Sequence, residues 1–117
     1  MDGTNGNLSE YDIVVLNVMF SDGIGSKSRP AILVELEDEQ IGFFRITSQY
    51  ENKSEAIKEK YFEIIDYIEA GLKKQSWIDT VMRYYVDDNS LRIRVIGQLT
   101  DSDMRRLEDF LAESVKL

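Results

Sequence analysis

RPAILVELEDEQIGFFRITSQ, residues Arg29 to Gln49, contains two runs rich in Ile, Val, Leu and Phe on either side of the acidic segment ELEDEQ. Apolar runs of that length, bounded by charged turn residues, predict the two strands of a β-hairpin. If the chain turns near Asp38 and Glu39, residues equally far from the turn face each other. Arg29, opening one strand, then comes near-opposite Thr47, closing its partner. Pro30 fits this register, because a proline in the first residues of a strand or on an edge removes no ladder hydrogen bond.

On the N-terminal side, YDIVVLNVMF from Tyr11 reads as a strand buried on both faces, and SDGIGSKS follows it as a loop. The glycines and serines of that loop offer backbone N–H groups and hydroxyls, and Lys27 and Arg29 beside it suit an anion, a phosphate first of all. On the C-terminal side, ENKSEAIKEK is a charged excursion, YFEII a short strand, and DYIEAGL a helical turn with Gly71 placed as its C-terminal cap. SWIDTVMRYYV and LRIRVIGQL are further strands around DDNS; the second alternates, Leu91, Ile93 and Val95 on one face and Arg92 and Arg94 on the other. The last segment is a helix. Thr100 and Asp103 resemble a capping box, and Met104, Leu107, Phe110, Leu111 and Val115 form an apolar stripe at spacings of three and four. The pattern predicts a mostly β (α+β) domain, a small antiparallel barrel or curled sheet with a C-terminal helix, over residues 11–117. Residues 1–10 are expected to form a flexible, acidic tail.

With 117 residues, 43% hydrophobic and 10% aromatic, the chain can build one core without covalent staples. Cysteine and histidine are absent, which excludes disulfide frameworks, thiol nucleophiles, Cys or His zinc sites and a Ser-His-Asp triad. Proton transfers would fall to carboxylates, Lys, Tyr, Ser, Thr or an arginine. No Asp/Glu spacing argues for a metal site, and no cofactor is expected. No apolar run approaches the ~20 residues of a membrane span, so a cytoplasmic protein is expected. The formal net charge of −8 argues against nucleic acid as a partner. What attracts a phosphate, however, is local potential within a Debye length of ~8 Å. The acids concentrate in ELEDEQ and in the C-terminal segment, whereas Lys27 to Arg29, Arg45, Lys73-Lys74 and Arg92/Arg94 are locally basic.

YDIVVLNVMFSDGIGSKSRPAILVEL, RITSQ, DYIEAGLKKQSWIDT and IGQLTDSDMRRL, in this order and at these spacings, resemble the MazF/PemK family of toxins from bacterial toxin-antitoxin systems. The resemblance spans Tyr11 to Phe110. It implies a small SH3-like β-barrel, also shared by CcdB-type toxins, assembled as a homodimer. It further implies metal-independent, sequence-selective cleavage of single-stranded RNA by the ribose 2′-hydroxyl, leaving a 2′,3′-cyclic phosphate. Translation and growth would stop until a cognate antitoxin filled the RNA groove. By the same resemblance Arg29 and Thr47 are the catalytic residues. Arg29 would stabilise the dianionic phosphorane, as a fixed guanidinium is suited to do, and Thr47 would position the phosphate or the 2′-hydroxyl. Asp22 stands where some members carry a candidate base.

Further RNA contacts are expected from Lys27, Ser48, Lys73, Lys74 and Trp77, the lysines pairing with phosphates and the indole stacking on a base. Each residue also has a plainer reading. An arginine before a proline can be a solvent-facing partner in an ion pair, and a threonine at a strand end a turn hydroxyl. The lysines can neutralise the end of the helical turn while the tryptophan fills the core or a dimer interface. Three positions depart from the family pattern. Tyr11 replaces a usual glycine and Met19 a frequent proline, both read as changes of packing. Asp79 stands where an Arg or Lys is common, and a carboxylate facing the groove would repel a phosphate. A second function therefore stays open: a non-enzymatic binding protein on the same barrel, kept for antitoxin binding or poisoning a protein target as CcdB does.

Overall fold

A computed structural model of the chain describes residues 8–19, 26–37, 40–87 and 92–114. Six strands and two helices follow one another: β1 (Asp12–Met19), β2 (Ser26–Leu36), β3 (Gln40–Thr47), α1 (Glu55–Lys58), β4 (Tyr61–Ile64), β5 (Ser76–Asp87), β6 (Arg92–Gln98) and α2 (Asp101–Ser114). The strands form one sheet in the order β4-β5-β3-β2-β1-β6, antiparallel at every pairing. The fold is thus mostly antiparallel β with a C-terminal helix. No helix among the described residues is long and apolar enough to cross a membrane.

Alternation along the strands sends apolar side chains to both faces, and each face has its own core. Ile13, Ile32, Phe44, Ile46, Phe62, Ile64 and Ile78 form the larger cluster, onto which α2 lays Leu107, Met104, Phe110 and Leu111. Val14, Leu16, Ala31, Leu33, Ile41 and Phe43 form the smaller one on the opposite face. β1 feeds both, which is why Ile13 to Leu16 run on as four apolar residues without a period of two. Val115, the last residue of the expected stripe, lies outside the described residues.

The predicted hairpin is β2–β3. The Glu37 N–H donates to the Gln40 carbonyl at 2.9 Å, closing it around 38–39, which lie outside the described residues. A bulge between Leu33 and Glu35 shifts the register, and the ladder then runs Leu33 to Phe43 and Ala31 to Arg45, where it ends. Arg29 and Thr47 lie two residues further on, where β2 follows β1, with Arg29 beside Leu16, and β3 follows β5, with Thr47 beside Trp77.

The turn after β4 ends as the sequence suggests. Leu72 N–H bonds to the Tyr67 carbonyl and Gly71 N–H to that of Ile68, the paired bonds of a Schellman closure, with Gly71 at φ +96. The same turn lies against β6 so closely that a Cβ on Gly97 would run into the Ala70 carbonyl. Residues following one outer strand, β4, thereby reach the other outer strand, β6.

Other details differ from the sequence reading: β2 starts at Ser26, so Arg29 and Pro30 lie inside it and do not open it, and a short helix, α1, stands in the charged excursion. Thr100 does cap α2, its Oγ1 accepting the Asp103 N–H at 3.3 Å. The Asp103 carboxylate, however, does not return to Thr100. It accepts the Asp66 N–H at 2.8 Å and pairs with Arg106, which ties the helix start to the turn after β4. Tyr11 is also more than a change of packing, because its backbone sits at φ +72, where a side chain costs roughly 1–2 kcal/mol. It is held there by its N–H to Leu33 O at 2.7 Å, its carbonyl to Leu99 N–H at 3.1 Å and its hydroxyl to Glu108 at 3.2 Å.

Candidate functional site

The face of the sheet that carries the smaller cluster also carries the candidate residues. Alternation places Arg29 with Ala31 and Leu33, and Thr47 with Arg45 and Phe43, on this side. Leu16, Phe43, Tyr84 and Val86 form the apolar walls of a pocket of about 310 Å³ whose lining includes Arg29 and Arg45. Phe43 and Tyr84 stack with ring centroids 5.6 Å apart, and the Arg45 guanidinium lies 5.5 Å over the Tyr84 ring. Arg29 is exposed, and among the described residues it makes no ion pair. Its plainer reading as half of a structural salt bridge therefore lacks a partner among those residues.

β5 bends at this pocket. Its register against β3 jumps from Phe43–Tyr84 to Arg45–Asp79, so that Thr80 to Arg83 bulge out of the ladder. Asp79 forms the knuckle of the bend. It is buried; its Oδ1 accepts the Val81 N–H at 2.9 Å, and its Oδ2 takes Arg45 Nη2 at 3.0 Å and, more distantly, the Tyr61 hydroxyl at 3.4 Å. Burial and then the Asp79 charge raise the Tyr61 pKa, so Tyr61 stays a donor. Asp79 thus faces the groove side as an ion-paired group rather than as the bare carboxylate its position suggests.

Beyond Arg45 on the same strand, Thr47 is half-buried and its Oγ1 accepts the Gln49 N–H at 3.0 Å. One lone pair of the hydroxyl is thereby engaged and its proton is left to donate. Trp77, opposite Thr47, is half-buried and belongs to neither core; it stacks on Tyr50 with centroids 4.6 Å apart and planes 6° from parallel, and Lys58 Nζ lies 5.0 Å from the Tyr50 ring on the pair's flank. Ser48 is exposed at the end of β3, and Lys73 and Lys74 are exposed between the Gly71 turn and β5. Asp22 and the Lys27 side chain lie outside the described residues.

The structure therefore brings Arg29 and Arg45 to one pocket and Thr47 next to Trp77 along the same face. From the sequence Arg45 was read only as locally basic, and Tyr84 and Tyr50 were not singled out. For Arg45 the signal existed, since it stands two residues before Thr47 and so shares its face. For Tyr84 none did, because DTVMRYY carries no trace of the bulge. A second, more open groove of about 470 Å³ runs between β4 and α2, but its three acids, Glu63, Asp109 and Glu113, outnumber its one cation, Arg106, which is paired with Asp103, and make it a poor match for an anion. Among the described residues no group of three or more carboxylates is placed to hold a metal ion. No protein-family model matches the chain, and no curated protein does either.

Proposed function

We propose that the protein is an endoribonuclease of the MazF/PemK kind, the toxin of a toxin-antitoxin pair, cutting single-stranded RNA on this face of the sheet. The observation that carries the reading is the pair Arg29 and Arg45 on one apolar, aromatic pocket, with Thr47 and Trp77 next along the same face. A base has the apolar lining of the pocket, Leu16, Tyr84 and Val86 among it, to pack into, and the phosphate beside it has two guanidiniums within the same lining. Attack of the 2′-oxygen on the adjacent phosphorus, with loss of its proton, forms the 2′,3′-cyclic phosphate and breaks the bond to the 5′-oxygen of the next nucleotide, which takes up a proton and leaves as a 5′-hydroxyl. Arg29 offers charge-assisted hydrogen bonds to the negative charge that builds on the phosphorane oxygens. Thr47, with its Oγ1 already holding the Gln49 N–H, donates its proton to a phosphate oxygen. The ring-like turn against β6 supports the SH3-like barrel as the finer form of the fold.

A second reading has an observation of its own. Val81, Met82 and Tyr85, at or beside the β5 bulge, are 50–56% exposed, an apolar surface suited to a protein partner such as an antitoxin or a second copy. On that reading the barrel binds without cutting. Cleavage of a long single-stranded RNA in EDTA, with end-group analysis, separates the two. The expected result is discrete fragments ending in 2′,3′-cyclic phosphate with wild type, and their loss in Arg29→Ala and Thr47→Ala. Intact RNA with folded wild type would leave the binding reading.

A further inference from the structure

We infer that Arg45 is a second substrate-binding cation of the site, and that Asp79 is the positioning residue that aims it. The inference rests on the ribonuclease reading and adds to it a division of labour between two arginines. Arg45 is 58% exposed at its side chain, whereas its partner Asp79 is 7% exposed. Such an arrangement is a buried carboxylate presenting an exposed guanidinium, not an ion pair closed on itself.

Two contacts, set up by the strand register, fix the guanidinium. Asp79 binds one Nη at 3.0 Å, the Tyr84 ring lies beneath it at 5.5 Å, and the strand places it directly opposite Asp79. A guanidinium carries five N–H donors, so one bond to Asp79 leaves others facing the pocket it shares with Arg29. Asp79 is itself fixed, its other oxygen holding the Val81 N–H and its shared oxygen facing the Tyr61 hydroxyl. A long flexible cation held in this way gives up little further entropy when a phosphate arrives. The β5 bulge is what makes this possible, since it brings Asp79 and Tyr84, five positions apart, onto the same arginine.

The cost of the arrangement is charge, because Asp79 cancels part of the attraction Arg45 exerts on a phosphate. That cost supplies the test. Asp79→Asn keeps a side-chain oxygen for the Val81 N–H and removes the charge that orients Arg45. If Asp79 positions Arg45, this variant binds a single-stranded RNA oligonucleotide as tightly as wild type or more tightly, while its cleavage rate at saturation falls by about a hundredfold, the scale of a misplaced group. If Asp79 is only an electrostatic obstacle, affinity and rate rise together, and the inference is overturned.

Arg45→Gln, whose amide can still donate to Asp79, gives the independent measurement, and the double variant Arg45→Gln/Asp79→Asn, which leaves no buried charge unpaired, replaces it if the single variant does not fold. The slope of log affinity against log salt should shrink by ~0.7, one phosphate contact on a single strand, and Arg45→Lys should restore the slope without restoring the rate. An unchanged slope in Arg45→Gln, with wild type binding and cutting RNA, overturns the inference and leaves the ribonuclease reading standing. Wild type that neither binds nor cuts RNA overturns both. Circular dichroism of each variant confirms that the comparison is between folded proteins.

Discussion

At the scale of single residues, the chain keeps side chains in positions that cost something and holds them with specific partners. Tyr11 is the clearest case. Its φ of +72 suits a glycine, yet the side chain is retained, with the ring against the larger core and the hydroxyl donating to Glu108. Burial, and after it the negative charge of Glu108, push its pKa from 10.0 up to about 12. The folded state therefore holds the phenol proton more tightly than the unfolded chain does. The stabilisation from the neutral phenol is complete below pH 10 and is lost as pH rises from there through about 12. Phenolate absorbance should show one tyrosine titrating near that upper value in wild type and not in Tyr11→Phe. Denaturant unfolding of Tyr11→Phe should also fall off less steeply across the same interval. Thr47 shows how far residue-level reading goes: the sequence placed it at a strand end with a turn hydroxyl as its plainer role, and the bond its Oγ1 accepts from the Gln49 N–H shows that role, with the proton left to donate.

Between elements, two joints hold the helix and the outer strands to the sheet. Asp103, buried at the start of α2, accepts the Asp66 N–H and pairs with Arg106, while Thr100 Oγ1 donates to Asp66 Oδ2 at 2.8 Å. Asp103→Ala leaves a half-buried N–H and a cation without their acceptor and should cost about 2–3 kcal/mol, read as a lowered denaturation midpoint at unchanged m. The other joint is the contact between Gly97 and the Ala70 carbonyl. Because the obstructing atom is backbone, it cannot rotate away, and Gly97→Ala should destabilise by roughly 3 kcal/mol or more. The strands and α2 were legible from their apolar patterns, and Gly71 from its place after DYIEAGL. The Asp103–Asp66 bond was not legible, since the capping pattern points the Asp103 side chain back along its own helix while the structure turns it across to a segment 37 residues away.

For the molecule as a whole, a net charge of −8 and an anion-binding face are compatible only if the charges are segregated. The positive groups Arg29 and Arg45 meet at the pocket, while Glu63, Asp109 and Glu113 line the groove along α2. RNA affinity should therefore fall steeply with salt despite the overall negative charge, with a slope of at least ~1.4 for the two arginines, as read by titration of a labelled oligonucleotide across salt concentrations. A flat profile would remove the proposed face from consideration.

Local chemistry along the chain determined the secondary structure: apolar runs made strands, a three-and-four stripe made α2, and the lack of histidine and cysteine left arginine, threonine and carboxylates as the available chemistry. Alternation along β3 also put Arg45 and Thr47 on one face, but Arg29 joins them only through the bulge between Leu33 and Glu35, since the register at the turn, Leu36 to Ile41 and Glu35 to Gly42, would have set Arg29 opposite Ser48. Only the tertiary structure decided what Asp79 does. In sequence it is a carboxylate in a strand, free to repel a phosphate. In the fold, the bulge in β5 buries it opposite Arg45, and a buried charge has to be paired. Bulges and cross-strand partners are set by how distant strands meet, and no period in one strand records its neighbour's register.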